Sequence, residues 1–185
     1  MNREALENMK ERRSCRSFSS EVPPRELIAA VCEAGTYAPT GHGKQSPLIL
    51  AVTNKELRDR LSAMNARIWN ELALQRGENP KGDIDPFYGA PVVLVVLADR
   101  TIRTAEYDGC SVICQLVNAA HAVGLGSCWI HRAKEEFESE EGKAILRELG
   151  VEGDYVGVGH CILGYPTKEP SRVLPRKRDY VRWVE

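Results

Sequence analysis

Apolar positions along this chain recur with two periods. Behind Pro23-Pro24, Leu27, Ile28, Val31 and Cys32 are spaced by three and four, which predicts a helix with proline in its first turn that stops near Gly35. The same spacing returns at Leu57, Leu61, Met64, Ile68 and Leu72, so a long amphipathic helix follows the β-rich run Leu48 to Thr53. Val92 to Ala98 is apolar without interruption, the pattern of a strand covered on both faces, and Ala105 to Val123 is apolar enough for a central helix. Ser127 to Ile130 reads as a third strand. Glu135 to Leu149 reads as one surface helix stopped by Gly150, and Tyr155 to Tyr165 as a fourth strand laced with Gly157, Gly159 and Gly164.

Two stretches break the periodicity. Gly77 to Gly89, rich in Gly, Pro and Asp, predicts an exposed loop long enough to cover a site. From Pro166 onward the chain is polar and basic, an extension rather than a module, in which Val181 and Trp183 suggest an anchoring surface. With no repeat or second boundary, 185 residues are expected to form a single domain, 1–185.

Composition then removes several function classes. With 25 Lys and Arg against 26 Asp and Glu, the net charge of -1 lacks the global field of a nucleic-acid binder. The opening Met1-Asn2-Arg3-Glu4 has no apolar signal core, and the run from Ala90 to Ala98 is too short to span a bilayer, so no membrane partner and a cytoplasmic location are expected. Six cysteines in such a chain predict reduced thiols. Cys110 and Cys114 lie one helical turn apart with no second pair nearby, which reads as a buried helix face rather than half a zinc site, so no metal is expected.

Basic residues must therefore act locally, and they cluster twice: Arg12-Arg13-Ser14-Cys15-Arg16-Ser17-Phe18 and Pro175-Arg176-Lys177-Arg178. Arginine forks match phosphate oxygens with paired hydrogen bonds, and Arg12, Ser14 and Arg16 alternate, so in an extended segment they point the same way. Arg176 and Arg178 alternate likewise. Taken singly, each cluster reads as a solvated basic surface; taken together, they point to a phosphate-bearing cofactor gripped by both ends of one domain. Gly124-Leu125-Gly126 is not a dinucleotide fingerprint, since the third glycine is missing and the pattern sits at a helix end. Cys128 lacks a His and acid constellation and reads as a buried small hydrophobe. His121 reads as packed and His42 as exposed, whereas His131, directly after an apolar strand, is the histidine best placed to meet a ligand.

These pieces, joined by Ala38-Pro39-Thr40-Gly41-His42 with Gln45, Ala90-Pro91 before a strand, Asp108 entering a long helix, and Gly124-Leu125-Gly126-Ser127-Cys128-Trp129-Ile130, resemble the nitroreductase family of FMN-dependent oxidoreductases over nearly the full length. The resemblance implies an α+β fold with a central mixed β-sheet wrapped by helices. It also implies an intertwined homodimer with FMN at the subunit interface and residues 166–185 packed on the partner subunit.

By position, Arg12, Ser14, Arg176 and Arg178, with Arg13 in the same cluster, would hold the phosphate and ribityl chain, and Arg16 would lie near the pyrimidine edge. Pro39, Thr40, Gly41 and Gln45 would reach the flavin from the other subunit, and Trp129, Ile130 and His131 would line its ring. The activity implied is a ping-pong exchange: NADH or NADPH reduces FMN, and a small aromatic acceptor such as a nitroaromatic or a quinone follows, with no side-chain acid or base required. Reductive dehalogenation, flavin breakdown and a non-catalytic flavin-binding module are the alternatives. The chain departs from the family at Gly43, where Asn is common, and at Ser46-Pro47, where Pro-Trp is common. Gly77 to Tyr88 is the expected lid, with Phe87 and Tyr88 as stacking rings, and Lys44, Arg132 and Lys134 are candidates to meet a 2′-phosphate.

Overall fold

Strand β2 (Val92–Asp99) sits at the middle of the chain's packing, because its side chains alternate between two apolar layers. Val93, Val95 and Leu97 enter one layer, and Val92, Leu94 and Val96 enter the other. The computed structural model describes residues 3–168 and 173–185. On one face, α2 (Arg25–Thr36) and α4 (Ala105–Ala122) contribute Ile28, Val31, Ile113 and Leu116. On the other, α3 (Lys55–Gln75), α5 (Ala133–Glu138) and α6 (Glu140–Glu148) contribute Leu61, Met64, Ile68, Phe137 and Ile145. Each such side chain stabilises the fold by roughly 1.5–3 kcal/mol through burial.

Beside β2 lie β1 (Pro47–Val52) and β4 (Tyr155–Gly164), and β3 (Gly126–Ile130) pairs with β4, giving the order β1-β2-β4-β3. All three pairings are antiparallel, and the parallel component of the expected mixed sheet is a bridge between Ser14 and Ser127. The antiparallel order of β1 and β2 follows from the loop after α3, which runs back along that helix. Asn70 Nδ2 donates to the Gly82 carbonyl (3.0 Å), Ser62 Oγ to Asp85 Oδ1 (2.6 Å) and Arg58 Nη1 to the Ala90 carbonyl (2.7 Å). The chain is thereby returned to the end of the sheet where β1 finished.

The helix expected from Glu135 to Leu149 is instead two helices. Ser139 is extended (φ -72°, ψ 157°); its Oγ donates to the Glu136 carbonyl at 2.6 Å and accepts from the Gly142 N–H at 3.0 Å. A serine that closes one helix and caps the next competes locally with the continuous ladder. Helix α1 (Arg3–Glu11) buries none of its side chains and is tied to α4 by Asn8 Nδ2 donating to the Asn118 carbonyl (3.0 Å).

Two glycines of β4 bring other elements close. A Cβ at Gly157 would strike the Ala133 carbonyl, so the first turn of α5 rests directly on the strand, and Gly159 makes room for the Trp129 indole. Residues 173–185 are exposed throughout and form no helix or strand. Within the extension expected from Pro166, residues 169–172 lie outside the described residues, as do Met1 and Asn2 of the opening segment. Among the described residues no helix is long and apolar enough to cross a membrane.

Candidate functional site

The segment after α1 is held extended against the edge of the sheet by the Cys15 N–H, which donates to the Ser127 carbonyl (2.8 Å). Cys15 is buried against Gly126. Arg12, Ser14 and Arg16 alternate with it, and all three act on the Cys128 thiol. Burial pushes that thiol up, while the Arg16 charge, a hydrogen bond from Ser14 and the Arg12 charge pull the other way. Cys128 is thus the buried small side chain expected of it, packed into the core. Among the described residues neither Arg12 nor Arg16 has a carboxylate partner. Arg13 is engaged differently: its Nη1 donates to the carbonyls of Lys10 (2.5 Å) and Arg12 (2.9 Å), closing the end of α1.

At the far end of β3, Trp129 and His131 are exposed and Ile130 is buried, so Ile130 offers a ligand only its backbone. Arg132 then adopts left-handed backbone (φ 82°), which for a residue with a Cβ costs about 1–2 kcal/mol. The surroundings hold it there. Its guanidinium carbon lies 4.2 Å from the Trp69 ring centroid, and its Nε donates to Asn65 Oδ1 at 2.9 Å. Asn65 Nδ2 in turn donates to the His131 carbonyl (2.9 Å) and to Glu136 Oε1. Burial lowers the pKa of Arg132, against the opposing charges of Glu136 and Glu135, and the group stays a cation.

Behind Asn65, Glu136 meets His160 of β4, whose ring lies edge-on to Phe87 at 5.2 Å between centroids and tilted toward Phe137 at 6.5 Å. Asn65, Glu136 and His160 escaped the sequence reading, although each left a trace. Asn65 interrupts the apolar stripe of Leu61, Met64 and Ile68, and Glu136 and His160 lie beside core residues Phe137 and Cys161.

A second group forms before β1. Buried Asp108 of α4 accepts from the Gly41 N–H (2.9 Å), Ser46 Oγ (2.7 Å) and Thr104 Oγ1 (3.1 Å), clamping the loop that carries Pro39, Thr40, Gly41 and Gln45. The Gln45 N–H also donates to Thr40 Oγ1 (3.1 Å), and His42 and Gln45 take positive φ. This loop leads into β1, whereas the arginine segment lies on β3, the opposite edge of the sheet. Three strand spacings, roughly 14 Å, separate those edges. No hydrogen bond or ion pair among the described residues joins the two groups, and none joins either to Arg176 or Arg178 in the exposed tail. Within one chain the two groups therefore stand apart, at opposite edges of the sheet.

Of the two rings expected on the lid, only Tyr88 is exposed; Phe87 is buried against His160 and unavailable for stacking. Cys114 is exposed and Cys110 half-buried, so that face of α4 is not buried within the chain as expected. Among the described residues no group of three or more His, Cys, Asp or Glu is placed to hold a metal ion.

A sheet sandwiched between helical layers, with an edge of unpaired arginines and a hydroxyl, defines an α+β protein suited to a phosphate-bearing ligand. The chain belongs to the Nitroreductase family, whose pattern matches residues 9–165, and is an enzyme of that oxidoreductase family. It is similar to the nitroreductase of Bacteroides fragilis NCTC 9343 solved with bound FMN, at 28% identity and a TM-score of 0.84, covering 98% of this chain and 99% of that one. A nitroreductase with bound FMN from Desulfitobacterium hafniense DCB-2 matches at 28% identity and a TM-score of 0.84, with both chains fully covered. A Methanothermobacter thermautotrophicus protein described as "Putative NADH dehydrogenase/NAD(P)H nitroreductase" is 24% identical over 174 residues, covering 91% of this chain and 80% of that protein.

Proposed function

We propose that this chain is an FMN-dependent NAD(P)H oxidoreductase that reduces small aromatic acceptors such as nitroaromatics and quinones, donor and acceptor using one cleft in turn. The observation that carries this reading is the segment bearing Arg12, Ser14 and Arg16, paired to the edge of β3 through Cys15 and Ser14, in which neither Arg12 nor Arg16 has a carboxylate partner among the described residues. The FMN held by the relatives from B. fragilis and D. hafniense supports it.

Arg12 and Ser14 hold the phosphate, joined by Arg176 and Arg178, and Arg16 lies toward the pyrimidine edge, where its charge favours the reduced cofactor. Trp129, the backbone of Ile130, and His131 line one side of the ring. Pro39, Thr40, Gly41 and Gln45 come from a second copy of the chain. The separation of the two half-sites supports a homodimer as the active unit, with residues 166–185 of the single domain packed on the partner. When bound, FMN supplies the redox chemistry, taking two electrons from NADH or NADPH and passing them to the acceptor. The chain itself positions the reactants and shields them from water, with Tyr88 as the exposed ring available to stack on an aromatic acceptor.

The test is the visible spectrum of the purified protein, supplemented with FMN, before and after anaerobic addition of NADH and NADPH. Bleaching of a bound-flavin spectrum is expected; a protein that takes up no FMN would overturn the proposal.

A further inference from the structure

We infer that Asn65, in the middle of α3, is a positioning residue for the cleft, setting the conformation of His131 and Arg132 from inside the core; the inference rests on the flavin reading above. Asn65 is fully buried and uses both ends of its amide. Its orientation is forced, because Arg132 Nε only donates and the His131 carbonyl only accepts. One core side chain thus grips two consecutive residues of the β3–α5 connection, the first by its backbone and the second by its guanidinium. The second of them holds a left-handed conformation that L side chains rarely adopt and that persists only where surrounding structure imposes it.

Glu136 supplies the third corner. It accepts from Asn65 and abuts His160, so Asn65 is braced against β4. The cleft wall between β3 and α5 is therefore built before any ligand arrives, which is the condition for holding reactants in near-attack geometry. Neither Leu nor Asp reproduces this: Leu offers no polar atoms, and Asp has no donor for the His131 carbonyl.

The test compares wild type with Asn65→Leu and with Arg132→Met, which loses the Nε donor to Asn65 together with the guanidinium over Trp69. Amide hydrogen exchange is followed at residues 131–133 without added FMN, and the rate of FMN reduction by NADH or NADPH is followed with FMN bound. The expected result in both variants is exchange at least tenfold faster at 131–133, with the remainder of α3 protected as in wild type. Reduction at saturating donor is expected to be at least tenfold slower, with KM within threefold. Folded variants whose exchange stays within twofold of wild type overturn the inference, and so does faster exchange with an unchanged reduction rate, which would make Asn65 structural only. If Asn65→Leu does not fold, Arg132→Met decides. If wild type takes up no FMN, the flavin reading falls by itself and exchange at 131–133 still decides whether Asn65 sets this turn.

Discussion

His160 Nε2 of β4 lies 2.8 Å from Glu136 Oε2 of α5, and both side chains are fully buried. The contact is one of proximity rather than an aligned hydrogen bond, since neither ring nitrogen of His160 has a well-directed partner among the described residues. Removing one member leaves the other's polar atoms alone in an apolar surrounding, which typically costs about 1–3 kcal/mol, whereas replacing both with apolar side chains of similar shape is often near neutral. Urea unfolding is expected to show that loss for Glu136→Met and its recovery in the double variant Glu136→Met with His160→Phe.

Asp108 binds three donors from two elements, so its loss leaves the Gly41 N–H and two hydroxyls without their acceptor. Asp108→Ala is expected to lower unfolding free energy by about 2–3 kcal/mol. It is also expected to weaken FMN uptake, because the freed loop carries Thr40 and Gly41. Equilibrium denaturation and a flavin titration measure the two effects separately.

Buried thiols give the fold a pH dependence on the alkaline side. Burial raises Cys161, Cys128 and Cys32 above the ordinary thiol value of 9.0. The unfolded chain therefore ionises first as pH rises and binds fewer protons than the native state, so stability is fully present below about pH 9 and falls above it. A fit of unfolding free energy against pH from 7 to 10.5 is expected to show that decline, and Cys161→Val is expected to reduce its slope. At pH 8 a thiol reagent is expected to leave Cys161 and Cys128 unmodified until denaturant is added.

Arg16→Ala removes the cation proposed for the pyrimidine edge. With FMN still bound, its midpoint potential is expected to drop by about 30 mV or more, the two-electron equivalent of about 1.4 kcal/mol. Anaerobic redox titration reads this directly, and an unchanged potential would detach Arg16 from that role.

Exposed Val173, Leu174, Val181, Trp183 and Val184 give the tail an apolar surface that nothing among the described residues covers. Deleting residues 173–185 is expected to abolish both dimer formation in light scattering and FMN retention on gel filtration. A truncated dimer that holds FMN at wild-type affinity would take Arg176 and Arg178 out of the site.

The elements legible in the residues are those whose burial repeats along the chain. Helices α2, α3 and α4 and strand β2 start and stop within a few residues of their expected bounds, because one-sided or two-sided burial writes itself into local spacing. Alternation also predicted that Arg12, Ser14 and Arg16 share a side of an extended segment, and that segment is paired to β3 at Ser14 and Cys15. Ser139 broke the expected helix because its hydroxyl, donating to the Glu136 carbonyl and accepting from the Gly142 N–H, offers the backbone an alternative to the continuous ladder.

By itself, then, the chain's order of residues determined the helical and strand periods and the arginine and hydroxyl chemistry at its edge. Only the tertiary structure decided which polar residues inside apolar stripes meet. Asn65 and Glu136 are 71 positions apart, and His160 comes from a third element. Contacts of that separation are set by how helices cross a sheet, and no local spacing encodes them. The same holds for the two polar groups at the sheet's edges: strand order, not composition, puts Gly41 and Ser14 at opposite edges.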